Sequence, residues 1–125
     1  MSTITELVEK ENVATIRGVL IDPANKTVEE VKLHKDMLFQ HMYELMDCDL
    51  IERIVSENRK LQINLDEEGL YKSDNKLFIF YPTISVYPDP FVGKAIVTGY
   101  DFESLPEDIT LDFIKASIEF IDKIF

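Results

Sequence analysis

The sequence contains one run of three acidic residues, Asp66-Glu67-Glu68, directly before Gly69. Adjacent carboxylates can hold a divalent cation or exchange a proton with a substrate. A calcium-binding loop needs further oxygen ligands at fixed positions, and the pattern D-x-[DN]-x-[DN]-G is absent. We therefore interpret the run as the exposed end of a strand that closes at Gly69. An enzyme assisted by a metal at this run is the alternative.

The two histidines and the single cysteine give no catalytic pattern. His34 and His41 are seven residues apart, and Glu44 lies one turn after His41. Two helical turns span about 10.5 Å, too far for both rings to bind one ion. We therefore interpret His41 as a hydrogen-bonded, partly buried ring. Cys48 lies between two aspartates, whose charge disfavours a thiolate nucleophile. The sequence thus predicts no catalytic, cofactor-binding or metal-binding residue.

Aromatic residues near proline-rich loops are better candidates for binding. Tyr81 and Tyr87 flank Pro82, and Phe91 follows Pro90. Aromatic side chains are common where a ligand base or a partner protein docks. Asn75 is either a turn residue or a ligand contact.

The composition is strongly acidic. The 125 residues include 13 Lys and Arg against 24 Asp and Glu, a formal net charge of −11. This balance disfavours direct binding to DNA, RNA or an anionic membrane, because all of them carry negative charge. The candidate surface for a partner or ligand comprises Asn75, Tyr81, Tyr87, Phe91, Asp101, Glu103, Glu107 and Asp108.

The local density of carboxylates between residues 101 and 112 raises the question of DNA mimicry, since this stretch contains neither Lys nor Arg. Duplex DNA presents about 20 phosphate charges over the ~36 Å diameter of a domain of this size. A protein with a net charge of −11 imitates DNA only if its carboxylates crowd one face. A generally acidic surface that serves solvation is the other interpretation, and both stay open.

The sequence predicts a cytoplasmic protein without membrane contact. Residues 1–18 have neither the basic start nor the apolar run of a signal peptide. The longest uncharged stretch, Leu77–Pro88, is shorter than the roughly 20 residues of a membrane helix. One cysteine, Cys48, excludes an intramolecular disulfide and fits a reducing compartment.

Two hairpins and a later strand account for the β-branched segments. Val13–Ile21 ends at the turn Asp22-Pro23-Ala24-Asn25 and is followed by apolar positions 28, 31 and 33, with a bulge expected at Glu29-Glu30. A second hairpin is predicted from residues 50–55 and 61–66, the latter a half-buried strand. Leu77–Tyr81 is predicted as a strand, and Val92–Tyr100 as a central strand.

Helical spacing of apolar residues predicts a middle helix over about 36–46, with Asp36 as its N-cap, and a C-terminal helix over about 110–124. A capping box is expected at Ser104-Leu105-Pro106-Glu107. We therefore predict one α+β domain over residues 1–125. Its small mixed or antiparallel sheet has four to six strands, both helices pack on it, and residues 1–12 form a frayed or short helical lead-in.

Three stretches of the sequence resemble a family of unknown function that carries the number 3846, whose members are small proteins of phages, plasmids and integrative elements. The stretches are Val19–Pro23 with Val28–Val31, Leu65–Leu70 with Asn75, and Val92–Gly99. The resemblance implies an origin in a mobile element and a small α+β domain inside a bacterial host cell. It carries no agreed activity, cofactor or catalytic residue.

These features favour a non-enzymatic acidic accessory protein that acts by binding a host protein, for example as an inhibitor of a host defence system. Two other classes are the metal-assisted enzyme and a homo-oligomer that pairs through an open strand edge at Leu77–Tyr81. A small-molecule binder, such as a sponge for a nucleotide signal, is the remaining alternative. It requires Lys72, Lys76 and Lys94 to converge on a cavity with Tyr81, Tyr87 and Asn75, because the ligand must overcome the net charge.

Overall fold

The computed structural model describes residues 3–69 and 76–121, which form three helices and eight strands. In chain order these are α1 (Ile4–Lys10), β1 (Thr15–Asp22), β2 (Thr27–His34), α2 (Leu38–Met46), β3 (Ile51–Val55), β4 (Leu61–Asp66), β5 (Leu77–Phe80), β6 (Phe91–Val92), β7 (Ala95–Gly99), α3 (Leu111–Ala116) and β8 (Ile118–Ile121). Short 3-10 turns at Tyr81–Thr83 and Tyr100–Phe102 follow β5 and β7. The predicted α+β class is confirmed.

Five strands form an antiparallel sheet in the order β2-β1-β7-β4-β3. Both predicted hairpins are present, because β1 pairs with β2 and β3 pairs with β4. The central strand is β7, and all five of its residues are buried. The central strand predicted at Val92–Tyr100 is confirmed over Ala95–Gly99. Val92 belongs to β6 in the second sheet, and Tyr100 begins a 3-10 turn, so the predicted ends are wrong.

The bulge predicted at Glu29-Glu30 is wrong. The β1–β2 register runs without a break from Thr15 opposite His34 to Asp22 opposite Thr27. Val28 packs against one core cluster and Leu33 lies in the other. Both faces of this sheet are covered, so apolar side chains of β2 can point to either face. The break in the alternation of apolar and polar residues therefore needs no bulge.

The two core clusters lie on opposite faces of the five-stranded sheet. On one face, Val19 and Val97 pack with Phe78 of a second sheet, whose three strands follow the order β6-β5-β8. On the other face, Ile96 packs with Met42 of α2. The large sheet is thus a middle layer between the small sheet with α3 and the helix α2.

The strand β5 is not the open edge that was predicted at Leu77–Tyr81 for a homo-oligomer. It lies between β6 and β8, and β8 pairs with it along its whole length, from Leu77 opposite Ile121 to Phe80 opposite Ile118. On the other side, β6 pairs with Leu77 and Phe78, so the backbone groups of these two residues are not available to a second copy of the chain.

The C-terminal helix is much shorter than the predicted span of 110–124. It ends at Ala116, and Ile118–Ile121 forms β8. Ile118 and Phe120 pack against the core while Glu119 between them is exposed, which is the alternation of a strand. Pairing with β5 outweighs the helical spacing of the apolar residues. Residues 122–125 lie outside the described part of the chain.

The helix starts also differ from prediction. The middle helix is confirmed over Leu38–Met46, but its N-cap is Met37 and not Asp36. The C-terminal helix is capped by Thr110, whose hydroxyl accepts the Phe113 N–H, and not by the box at residues 104–107. The longest helix in the described ranges has nine residues, so none there reaches the length of a membrane crossing.

The strand β4 is fully buried and not half-buried as predicted. Asn64 donates through Nδ2 to the Ile96 carbonyl at 2.9 Å and to the Thr98 hydroxyl at 3.2 Å, and its Oδ1 accepts from Gln62 Nε2 at 2.8 Å. The prediction fails because α2 and the Tyr100–Phe102 turn cover the face on which these polar side chains stand. We call Gln62, Asn64 and Thr98 the buried polar row.

Candidate functional site

Residues from the three stretches that resemble the mobile-element family meet at one cleft of about 210 Å³. The cleft is formed by the turn after β1, the end of α2, the end of β4 and the turn between β6 and β7. Its lining residues are Asp22, Pro23, Ala24, Met46, Asp47, Asp66, Gly69, Lys76, Val92, Gly93 and Lys94. We call it the aspartate–lysine cleft.

Asp22 is held by the turn that it begins. Its Oδ1 accepts the backbone N–H groups of Ala24 at 3.1 Å and Asn25 at 3.4 Å, and its Oδ2 accepts Asn25 Nδ2 at 2.8 Å. Such bonds stabilise a reversal of the chain directly after a strand. They also fix the position of one carboxylate in the cleft lining.

Two glycines shape the cleft. A Cβ atom on Gly69 would lie 2.6 Å from the Val92 carbonyl oxygen, so only glycine allows the end of β4 to approach β6 this closely. Gly93 has a φ of 86°, which glycine adopts without strain, and its N–H donates to the Lys76 carbonyl at 3.1 Å. No heavy atom lies within 4 Å of a Cβ built on Gly93, so this side of the turn is open.

Lys76 and Lys94 line the same cleft. The backbone bond from Gly93 to Lys76 brings the two lysines to neighbouring positions. Neither ammonium group has an ion-pair partner within residues 3–69 and 76–121. The small-molecule alternative requires these two lysines in one cavity with Tyr81 and Tyr87. Neither tyrosine lines this cleft, because Tyr81 and Tyr87 line two other surfaces. Lys72 and Asn75 lie outside the described residues.

The acidic run at the end of β4 shows no metal-binding geometry. Asp66 lines the cleft and accepts the Glu68 N–H at 2.9 Å, whereas Glu67 and Glu68 are exposed. Nowhere in the described ranges do three or more His, Cys, Asp or Glu side chains form a group that could hold a metal ion.

A second concave surface contains Tyr81, one of the two tyrosines predicted as interface residues. We call this surface the Tyr81–Phe113 groove; it has a volume of about 350 Å³. Its lining residues are Ser56, Asn58, Lys60, Leu61, Tyr81, Pro82, Ile109, Phe113 and Ser117. Tyr81 and Phe113 are 45 % and 46 % exposed, although both carry large apolar rings.

The Tyr81 ring is oriented by Glu119. Its hydroxyl donates to Glu119 Oε1 at 2.5 Å. This hydrogen bond, with smaller contributions from burial and from the charge of Glu119, raises the pKa of Tyr81 above its usual value. The phenol therefore keeps its proton at neutral pH, and its ring stays available as an apolar contact.

The other predicted site residues do not form one surface. Phe91 is 3 % exposed, packs 5.6 Å from the Phe78 ring and stacks 4.9 Å from the Tyr87 ring, so it belongs to the core. Glu107 and Asp108 are exposed directly before Ile109, a lining residue of the Tyr81–Phe113 groove. Asp101 and Glu103 are also exposed.

Asp101 lies within the Tyr100–Phe102 turn and pairs with Arg53 at 3.3 Å, and Glu103 directly follows the turn. Phe113, Lys60, Asp22 and Asp47 are functional candidates that the sequence did not single out. Phe113 lies in the middle of α3, where its ring is exposed while the neighbouring Ile114 is buried.

His41 joins α1 to α2 through a chain of hydrogen bonds. Its Nδ1 accepts the His34 N–H at 3.0 Å, and its Nε2 lies 3.1 Å from the Thr5 hydroxyl, which donates to Glu44 at 2.8 Å. Because Nδ1 is an acceptor, the neutral ring carries its proton on Nε2. The predicted hydrogen-bonded histidine is confirmed, and the ring is more deeply buried than expected.

The hydrogen bonds of His41 predict that the protein loses stability in acid. Burial lowers the pKa of His41 below 6.5, an effect that Glu44 partly offsets and His34 strengthens. As the pH falls, His41 in the unfolded chain therefore binds a proton at a higher pH than His41 in the folded chain. The contribution of His41 to the free energy of unfolding is complete above pH 6.5 and is lost as the pH falls below that value. In urea unfolding, the wild type should lose more stability between pH 7.5 and 5.5 than the variant His41→Gln. An equal loss in both proteins would contradict this role.

Glu44 makes the stability of the protein depend on pH in a lower range as well. Burial alone would raise its pKa, but hydrogen bonds from the Ile4 N–H, the Thr5 hydroxyl and the Thr5 N–H lower the pKa below 4.5. The Glu44 contribution is thus complete above pH 4.5 and is lost only below it, which separates it from the His41 effect.

We compared the chain with protein-family models, with curated protein sequences and with solved structures, and none of the three comparisons finds a match. The resemblance to the mobile-element family stays a prediction that rests on the three stretches.

Proposed function

We propose that this protein acts without catalysis, by binding a host protein through the Tyr81–Phe113 groove, as an acidic accessory protein of a phage or a related mobile element. The observation that carries the proposal is the exposure of two aromatic rings in one groove. The resemblance to the mobile-element family supports the origin, and the partner would be a protein of the bacterial host.

The centre of the groove is apolar. Tyr81 and Phe113 share it with Leu61 and Ile109, and Pro82 adds a rigid apolar ring. Removing an apolar surface from water is favourable. Aromatic side chains in a concave patch are typical anchors of protein–protein interfaces. An apolar side chain of a partner would fill the groove and remove both rings from water.

The surroundings of the groove are acidic. Glu107 and Asp108 precede the lining residue Ile109, Asp112 precedes Phe113, and Glu119 bonds Tyr81. Lys60 is the cation among the lining residues. With a net charge of −11 over the whole chain, this arrangement fits a basic partner segment that places an apolar side chain in the groove.

The test compares two exposed phenylalanines. Immobilised wild-type protein captures its partner from a bacterial lysate, and the captured protein, once identified and purified, is titrated against Phe113→Ser and Phe39→Ser. Phe39 is 44 % exposed and lies outside the groove lining, so it is a matched control. We expect Phe113→Ser to weaken binding at least tenfold and Phe39→Ser to leave it unchanged, while circular dichroism shows both variants folded.

Salt provides a second criterion. Raising the salt concentration from about 0.05 M to 0.5 M shortens the Debye length and should weaken binding to a basic partner severalfold. Capture of no protein, equal binding by Phe113→Ser and wild type, or binding that salt leaves unchanged would each contradict the proposal.

A further inference from the structure

The aspartate–lysine cleft has features that a protein-binding groove does not need. Its lining combines ammonium groups from Lys76 and Lys94 with carboxylates from Asp22, Asp47 and Asp66. The two signs come from different elements: the lysines flank β5 and β6, whereas Asp22 and Asp47 follow β1 and α2. We propose that this cleft binds a free α-amino acid with an apolar side chain.

The lysines supply a site for the carboxylate of such a ligand. Both are partly buried, and within the described ranges neither ammonium group has an ion-pair partner. The bond from the Gly93 N–H to the Lys76 carbonyl holds the two positions side by side. Two lysines that line one concave surface attract a carboxylate there, because solvent screens their charge less than on an open surface.

The aspartates give the ammonium group of the ligand a favourable environment. Asp47 follows α2 directly and lines the cleft together with Met46. The C-terminal end of a helix carries a partial negative charge, which adds to that of the carboxylate. A simple anion would be repelled by these groups, whereas a zwitterion satisfies both signs of charge.

Size and polarity restrict the ligand further. A volume of about 210 Å³ is below the roughly 300–1,000 Å³ of pockets for drug-sized ligands. A nucleotide is therefore too large for this cleft, whereas a free amino acid fits its volume. Pro23, Ala24, Met46 and Val92 form the apolar part of the lining and favour an apolar side chain. The open space beside Gly93 leaves room for its entry.

The experiment titrates the whole chain with L-leucine and records backbone amide shifts by nuclear magnetic resonance. Two matched probes each lack one charge: 3-methylbutan-1-amine has no carboxylate, and 4-methylpentanoate has no ammonium group. We expect L-leucine to shift the amides of Gly69, Gly93 and Lys94, and each control probe to bind at least tenfold more weakly.

Variants locate the site. Lys94→Gln should weaken L-leucine binding about tenfold, whereas Lys35→Gln, at an exposed position after β2, should not change it. Phe113→Ser should also bind L-leucine normally, so this result is independent of the proposed protein-binding function. Absence of shifts at 10 mM L-leucine, equal binding of 4-methylpentanoate, or unchanged binding by Lys94→Gln would overturn the inference.

Discussion

Replacing Phe91 by alanine is expected to lower the free energy of unfolding by about 3–5 kcal/mol. The Phe91 ring is 3 % exposed and contacts Phe78 and Tyr87, on the side of the five-stranded sheet that the small sheet covers. Removal of the ring leaves a cavity and abolishes both aromatic contacts. Urea unfolding followed by circular dichroism measures the loss.

Phe113→Ala is the matched control for Phe91→Ala. The Phe113 ring is 46 % exposed, so its removal should change the free energy of unfolding by less than about 1 kcal/mol. If both variants lost similar stability, the division between a core aromatic and a groove aromatic would be wrong. Because Phe91 belongs to the core, a Phe91 variant that failed to bind a partner would do so through unfolding and not through a lost contact with that partner.

The hairpins could be predicted from the sequence because their information is local. The turn Asp22-Pro23-Ala24-Asn25 contains its own hydrogen-bonding side chains, and β1 and β2 follow one another directly. The central strand predicted at Val92–Tyr100 is present over Ala95–Gly99, since an apolar β-branched run between glycines suits the centre of a sheet. Its first residue instead belongs to β6 in the other sheet.

The end of the chain could not be predicted, because the information is not local. The spacing of Ile114 and Ile118 fits one face of a continuous helix. It fits equally well a helix that ends at Ala116 and is followed by a strand from Ile118. The choice depends on β5, which pairs only with the two-residue strand β6 unless β8 forms on its other side. A pattern within residues 110–121 contains no information about a strand some 40 residues earlier.

The candidate sites depend on contacts between distant segments. Tyr81 and Phe91 are both aromatic residues near prolines, yet one is exposed and the other belongs to the core. Lys72, Lys76 and Lys94 were named as residues that must converge, and of these Lys76 and Lys94 line one cleft while Lys72 lies outside the described residues. Asp22 and Asp47 were not named for this cleft, because their partners there are distant in the sequence.

Asn64→Leu is expected to lower the free energy of unfolding by about 2–4 kcal/mol, because it leaves buried polar groups of the row without partners, at about 1–3 kcal/mol each. Asn64 is fully buried. The leucine cannot accept from Gln62 Nε2, nor donate to the Ile96 carbonyl. Thr98 is affected less, because its hydroxyl also donates to the Gly99 carbonyl.

A double-mutant cycle separates this loss from a simple change of shape. Gln62→Leu together with Asn64→Leu removes the donor and the acceptor of the 2.8 Å bond, so no buried amide of the pair is left unpaired. The double variant should therefore lose less stability than the sum of the two single variants, with a coupling of about 1 kcal/mol or more. The Asp101 N–H, which donates to Gln62 Oε1, belongs to an exposed residue and can turn to water. Strict additivity would show that the two amides act independently, and the buried polar row would then have no cooperative role in holding β4 against β7.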